Sequence, residues 1–203
     1  MINFDERASG WDDDPEKVER AARVAEAIRK QIRLSPEMTA LEYGCGTGLL
    51  SFNLGKSVGH ITLADNSTGM LAVLSKKITT SGMSNMTPLK LDLSTDPIPG
   101  ERYDLIYTLM TLHHIPDISV ILQSFYTLLK PEGTLCVADL DQEDGSFHGK
   151  DFQGHKGFNR DDLEHTLLNT GFKNIRFGSI YNMRRRVEDQ TKEFSLFLVC
   201  AGK

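Results

Sequence analysis

Cysteine is scarce in this chain: three in 203 residues. Cys45, Cys136 and Cys200 lie far apart in sequence and form no C-x-x-C pair. That spacing excludes a disulfide-stapled scaffold, and the apolar neighbours of each thiol predict buried, reduced sulfurs in a cytoplasmic setting. Long apolar runs are missing too. No stretch approaches the roughly 18 residues that a membrane span needs, and M-I-N-F-D-E-R-A-S-G-W has no apolar signal core, so secretion through a signal peptide is not expected. Positive charge is in short supply. The formal net charge is −5, and apart from Arg184-Arg185-Arg186 the basic residues are scattered, which argues against nucleic acid as a partner. Internal repeats and low-complexity segments are absent. Oligomeric state cannot be read from any of these features.

What is present fits one domain with one sizeable core. The first ten or so residues are polar and read as loop. Asp14-Pro15-Glu16 then reads as an N-cap, a proline at N1 and an acid in the first turn. Behind it Val18, Ala21, Ala22, Ala25, Ile28 and Ile32 recur at three- and four-residue spacing, an amphipathic helix that Pro36 closes.

From Thr39 short apolar runs alternate with helical ones. Strands are expected at Thr39 to Tyr43, Ile61 to Ala64, Pro88 to Leu93, Tyr103 to Leu109 and Thr134 to Leu140. Helices are expected at Leu49 to Val58, Thr68 to Thr80 and Ile118 to Leu129, the last stopped by K-P-E-G. This alternation means a mostly parallel sheet covered on both faces. A further helix near Arg160 to Asn169 is followed by two β-rich runs, Asn174 to Tyr181 (extendable to Val187) and Glu193 to Cys200. The short link E-D-Q-T-K leaves no room for a crossover helix, so the pair is expected as an antiparallel hairpin.

The sharpest motif is L-E-Y-G-C-G-T-G-L-L, Leu41 to Leu50. Gly44, Gly46 and Gly48, with Cys45 between the first two, form a strand-to-helix turn where missing Cβ atoms let backbone press on a ligand. A dinucleotide fingerprint would read G-x-G-x-x-G; here the third glycine arrives one residue early. No Lys or Arg lies between Glu42 and Ser51, so a pyrophosphate has little to hold it. Glu42, at the strand tip, suits a cationic amino group instead. Asp65, ending the second strand in L-A-D-N-S, can take both hydroxyls of a ribose. Asp92, in K-L-D-L at the third strand, can accept from an exocyclic adenine amine, with Leu93 and the chain near Asn66 flanking the ring. Amine, ribose and adenine in that order describe S-adenosylmethionine.

With these residues in view, L-E-Y-G-C-G-T-G, A-D-N-S-T-G-M-L, L-D-L, Y-D-L-I-Y-T-L-M-T-L-H-H-I and L-L-K-P-E-G-T-L together resemble the class I S-adenosylmethionine-dependent methyltransferases. The style is that of the small-molecule enzymes of ubiquinone and menaquinone biosynthesis. The likeness covers Thr39 to Asp139 and, in pattern, the tail. It implies a Rossmann-like seven-stranded, mostly parallel sheet with helices on both faces and an antiparallel C-terminal hairpin. It further implies that Glu42, Gly44 and Gly46 meet the methionine portion, Asp65 the ribose, and Asp92 and Leu93 the adenine. Thr108 and Leu109 would line the wall near the sulfonium. The family often carries glutamate where this chain has Asp65. F-D-E-R-A-S-G-W-D-D-D-P resembles the lid that precedes many such domains, with Phe4 and Trp11 folding over cofactor or acceptor. The chain thus divides into 1–36, lid and helix packed on the core, and 37–203, the methyltransferase domain.

For catalysis the candidates are His114, Asp139, His148 and His155. Of the adjacent His113 and His114, one should border the pocket; Asp139 and Asp141 sit at the tip of the fifth strand, and His148 and His155 follow in a long loop. His148 with Asp139, or His155 with Asp141, would make a base and its orienter. The spacing of these groups matches no metal signature such as H-E-x-x-H, so no metal is expected. No N-P-P-Y-like stretch follows the fourth strand, and the charge is acidic, which favours a small, partly apolar acceptor. Trp11, Met110, His113 and Phe147, with Phe152 and Phe158, are candidates to line its pocket. Two rivals stand beside this reading: a nicotinamide-dependent oxidoreductase using the same turn, and a cofactor-binding regulator or scaffold without catalysis.

Overall fold

A computed structural model describes residues 3–149 and 151–203. One seven-stranded sheet runs in the order β3-β2-β1-β4-β5-β7-β6. The strands are β1 (Thr39–Tyr43), β2 (His60–Asp65), β3 (Met86–Lys90), β4 (Tyr103–Leu109), β5 (Leu129–Leu140), β6 (Lys173–Val187) and β7 (Gln190–Gly202). Strands β1 to β5 pair in parallel, while β7 lies antiparallel to both β5 and β6. The tail is therefore the hairpin expected from its short link, with β7 inserted beside β5.

Among the described residues six α-helices accompany the sheet: α1 (Phe4–Arg7), α2 (Pro15–Gln31), α3 (Leu49–Leu54), α4 (Thr68–Ser81), α5 (Ile118–Leu128) and α6 (Arg160–Thr170). The local signals behind α2 hold. The Asp14 side chain accepts from the Glu16 N–H, Pro15 occupies the first turn, and Ala21, Val24, Ala25 and Ile28 form the buried stripe. Helices α2 and α3 and Leu74 of α4 share one apolar cluster. Ile121, Leu122, Phe125 and Leu128 of α5 join Leu163 and Leu167 of α6 in a second. The two clusters lie on opposite faces of the sheet, so the central strands are apolar on both sides, as parallel strands must be.

Several boundaries differ from the sequence expectation. The expected opening loop is helical from its first described residues: α1 is capped by Asn3, and a 3₁₀ helix spans Ala8–Asp13, residues 1 and 2 lying outside the described residues. β3 ends at Lys90, before Leu91 and Leu93, which are buried in irregular backbone. Pro88 is accommodated because β3 is an edge strand, where a missing N–H costs no ladder bond. Helix α5 does stop before K-P-E-G, but β5 begins at Leu129 and not at Thr134, with Glu132 at φ 64° and a register shift opposite Tyr103 and Leu105. The tail hairpin closes on Glu188-Asp189, with Glu188 at φ 55°. Cys136 and Cys200, distant in sequence, stand opposite one another on β5 and β7 with sulfurs 3.4 Å apart, unbonded. Among the described residues no helix is long and apolar enough to cross a membrane.

Phe125 has no exposed surface and meets Tyr43 edge-on at 5.4 Å. Phe125→Ala is expected to lower stability by about 3–5 kcal/mol, while Val120→Ala, on the exposed side of the same helix, costs under about 0.5 kcal/mol. Denaturant melts of the two variants check this, and equal losses would refute the assignment of α5's buried face.

Candidate active site

The strand order reverses between β1 and β4, and the carboxyl ends of strands at such a switch point are where open α/β sheets take ligands. The turn after β1 is shaped by crowding. Gly44 has φ 69°, and a Cβ there would lie 2.3 Å from Cγ2 of Thr111, so only glycine fits. Gly46, at φ 53°, differs: a Cβ there would touch nothing closer than 3.9 Å, namely Met70 and the Trp11 ring nitrogen. Its surface is the uncovered part of the turn.

Around this opening stand the expected acids. Glu42 is buried, and its carboxyl bonds the Ser51 hydroxyl, which lies 2.6 Å from the Tyr107 hydroxyl. Burial pushes the Glu42 carboxyl up to about 8. Asp65 accepts from the Gly46 N–H at 2.7 Å and from the Ser67 N–H at 2.8 Å. Burial raises its carboxyl, and these backbone donors offset part of the rise. Asp92 accepts from Asn66 Nδ2 at 3.1 Å and from the Ser94 N–H at 3.0 Å, while the Leu93 N–H donates to the Tyr43 hydroxyl. Thr108, at the end of β4, is buried and its hydroxyl finds no partner. Met110 follows at φ 54°, a costly conformation for a side-chain-bearing residue.

The N-terminal segment lies across the same turn. Asp5 accepts from the Ser67 hydroxyl at 2.6 Å and from the Gly69 N–H at 2.7 Å, at the start of α4. Asp12 bonds the Thr47 hydroxyl and takes Lys77 Nζ at 2.5 Å; the same ammonium donates to the Thr47 carbonyl at 2.8 Å. Phe4 meets Trp11 at 6.0 Å and His114 at 5.2 Å.

On the other side, the residues singled out for catalysis are only partly brought together. Asp139 is fully buried and pairs with His113, not His148: His113 Nδ1 lies 2.6 Å from its Oδ1. The His113 and Leu140 N–H groups donate to the same carboxylate. Burial would raise the Asp139 carboxyl, but His113 and these donors outweigh it and hold it below the ordinary value. His148 reaches the far side of the His113 ring, Nε2 to Nε2 at 3.0 Å. Burial, with neighbouring imidazoles, lowers His148 to about 3 and His114 to about 4, so both are neutral near pH 7. Phe152 stacks on His148 at 4.1 Å and meets His114 at 5.3 Å.

The pairing of His155 with Asp141 does not occur. Asp141 holds Arg160 through two bonds of 2.6 and 2.7 Å, and His155 bonds the Ile115 carbonyl at 2.9 Å. Phe147 packs inward, against Phe194 and beneath the Arg185 guanidinium at 3.9 Å. Arg184 pairs with Glu193, as a solvated edge would. Ser51, Tyr107 and Thr111 were not legible as parts of the site, whereas Phe152 was among the expected pocket residues and Asp5 and Asp12 lie in the run read as a lid.

The residues suit a zwitterionic nucleoside: an uncovered glycine backbone at Gly46 and a buried carboxyl at Glu42, while Lys77, the cation at this turn, is engaged by Asp12 and the Thr47 carbonyl. The family model described as Methyltransferase domain matches residues 40–133. An uncharacterized methyltransferase of Schizosaccharomyces pombe is 32% identical over 119 residues, 55% of this chain and 42% of that protein. The ubiquinone biosynthesis O-methyltransferase of Marinobacter nauticus is 31% identical over 111 residues, 53% of this chain and 46% of that protein. The chain thus spans less than half the length of these two relatives. In fold it is similar to a chain of the complex between the Haloferax volcanii Trm112 methyltransferase activator and a methyltransferase. That match has a TM-score of 0.79 at 16% identity and covers 100% of this chain and 98% of that one. A SAM-dependent methyltransferase from Aquifex aeolicus gives 0.67 at 21% identity, over 93% of this chain and 98% of that one. Residues 40–133 thus match a methyltransferase domain, and the seven-stranded sheet with its antiparallel tail is the fold this chain shares with solved methyltransferases.

Asp12 latches the N-terminal segment through two partners. Asp12→Ala is expected to speed amide exchange over residues 4–13 by roughly 5–30-fold, the factor that 1–2 kcal/mol represents. Protection in α5 should stay as it is. Unchanged exchange in the segment would mean that the Asp5 bonds and the aromatic contacts hold it without Asp12.

Proposed function

We propose that this chain transfers a methyl group from S-adenosylmethionine to a small, partly apolar acceptor. The observation that carries the reading is the enclosure of the site. Phe4, from the segment latched over the glycine turn, and Phe152, from the loop after β5, both pack on His114. A cleft closed from two sides admits a small molecule more readily than a polymer, and the acidic net charge gives a nucleic acid nothing to grip.

When bound, the cofactor supplies an electrophilic methyl carbon and its own leaving group. The chain's residues supply orientation and dryness. Glu42 takes the amino group, with Gly44, Cys45 and Gly46 along the methionine portion. Asp65 turns its remaining lone pairs to the ribose, and Asn66, Asp92 and Leu93 hold the adenine. Thr108 lines the wall by the reacting centre. Trp11 and Phe4 exclude water, which matters because a displacement in line needs both partners fixed and no competing nucleophile. Met110, His113, His114 and His148, the last two half-buried, face the acceptor side, and Asp139 positions His113.

The assay is transfer of isotopically labelled methyl to a panel of small hydroxyl, amine and thiol acceptors, beside bulk tRNA and protein extract. Label is expected in small molecules and absent with Asp65→Ala. Label confined to tRNA or protein would overturn the reading, and binding without transfer to any acceptor would favour a scaffold.

Glu42 makes a separate prediction. Its folded carboxyl stands near 8, above an ordinary 4.5, so the ligand-free protein keeps a proton that the unfolded chain sheds. This contribution to stability is full below about pH 4.5 and fades as the pH rises toward 8. Binding a cationic amino group requires the carboxylate, so binding releases that proton. Cofactor affinity should rise up to about tenfold per pH unit between 6 and 8, relative to Glu42→Gln. Calorimetry in buffers of different ionisation enthalpy measures the released proton, and the same pH slope in both proteins would refute the role.

A further inference from the structure

Three imidazoles meet where the 3₁₀ turn Leu112–His114 approaches the loop after β5. One ring nitrogen from each of His113, His114 and His148 lies within 4.8 Å of those of the other two. His113 Nδ1 faces the Asp139 carboxylate at 2.6 Å. A carboxylate only accepts, so Nδ1 carries the hydrogen and Nε2 is left as a bare lone pair. That lone pair points at a second imidazole nitrogen, His148 Nε2, 3.0 Å away. Nitrogens on a tetrahedral zinc ion stand about 3.3 Å apart, given metal–nitrogen bonds of about 2.0–2.1 Å, so this pair already has nearly the right separation. The Asp139–His113 pair reproduces the carboxylate–imidazole arrangement that orients metal-ligating histidines, and the carboxylate is itself fixed by two backbone N–H groups.

From this geometry we propose that His113 Nε2, His148 Nε2 and one ring nitrogen of His114 bind a divalent first-row transition-metal ion, Zn²⁺ foremost, with Asp139 orienting His113. An all-imidazole set has no oxygen ligand and so disfavours Mg²⁺ and Ca²⁺. Three protein ligands leave a fourth position for water or for an acceptor's oxygen, nitrogen or sulfur. The sequence spacing conceals the site: His113 and His114 are adjacent, and His148 follows only after the whole of α5 and β5.

The catalytic meaning of the ion rests on the methyl-transfer reading; its binding does not, and the test needs no cofactor. Protein stripped with a chelator is titrated with Co²⁺, following the visible bands of the four-coordinate ion, and with Zn²⁺ against a chromophoric competitor. One equivalent is expected, with Mg²⁺ failing to compete. His148→Ala and His114→Ala should each weaken binding at least 100-fold at unchanged thermal melting of the metal-free protein. Asp139→Asn should weaken it about 10–100-fold. His165→Ala, exposed on α6, should leave it unchanged. No stoichiometric binding, or equal binding by wild type and His148→Ala, would overturn the proposal and leave the 3.0 Å contact as a plain hydrogen bond between two rings. Failure of the methyl-transfer assay with metal bound would overturn only the former reading.

Discussion

No side chain fits on residue 44, between the tips of the first and fourth strands, and much of the site depends on that crowding. Thr111 sits where a Cβ of residue 44 would be, and its hydroxyl reaches the Gly44 and Leu109 carbonyls. To bring Thr111 there, Met110 adopts a left-handed backbone, its N–H tied to the Ala138 carbonyl at 2.8 Å. The turn that follows immediately presents His113 and His114. The same close approach that shapes the glycine turn thus aims the imidazoles, and the two halves of the site cannot shift independently. Local strain of this kind persists only where surrounding structure over-determines it.

Electrostatics divide the acids by environment more than by position. Glu42, Asp65 and Asp92 follow at the tips of successive strands, yet one is buried beside two hydroxyls, one is satisfied by backbone, and one is half-exposed beside an amide. Burial makes the first costly to ionise, and backbone donors ease the second. Asp139, as deeply buried as Glu42, is kept ionised by its imidazole partner. A buried carboxyl is defined by what donates to it.

The central architecture was legible because strands buried on both faces write themselves as continuous apolar runs; β1 and β4 are of this kind. β3 was misplaced by the same logic: Leu91 and Leu93 are buried, but burial of a residue does not require it to be paired in a sheet. The opening helix could not be seen, since Phe4, Asp5 and Trp11 are held by tertiary partners and not by an apolar period. In the site, the three acids and the glycines were readable from their places at strand tips. Ser51, Tyr107 and the meeting of three histidines depend on distances between elements far apart in sequence. The expected base–orienter pairs failed for a related reason: Arg160 and His113, each from a different element, reach Asp141 and Asp139 first.

The strand order leaves β3 and β6 as open borders of the sheet. Unpaired borders are templates on which another chain can add a strand, the first step of aggregation. β3 carries Pro88, which cannot donate to a newcomer. β6 is interrupted by register shifts and carries Arg184, Arg185 and Arg186 toward its end. Two copies meeting there antiparallel would bring like charges into register.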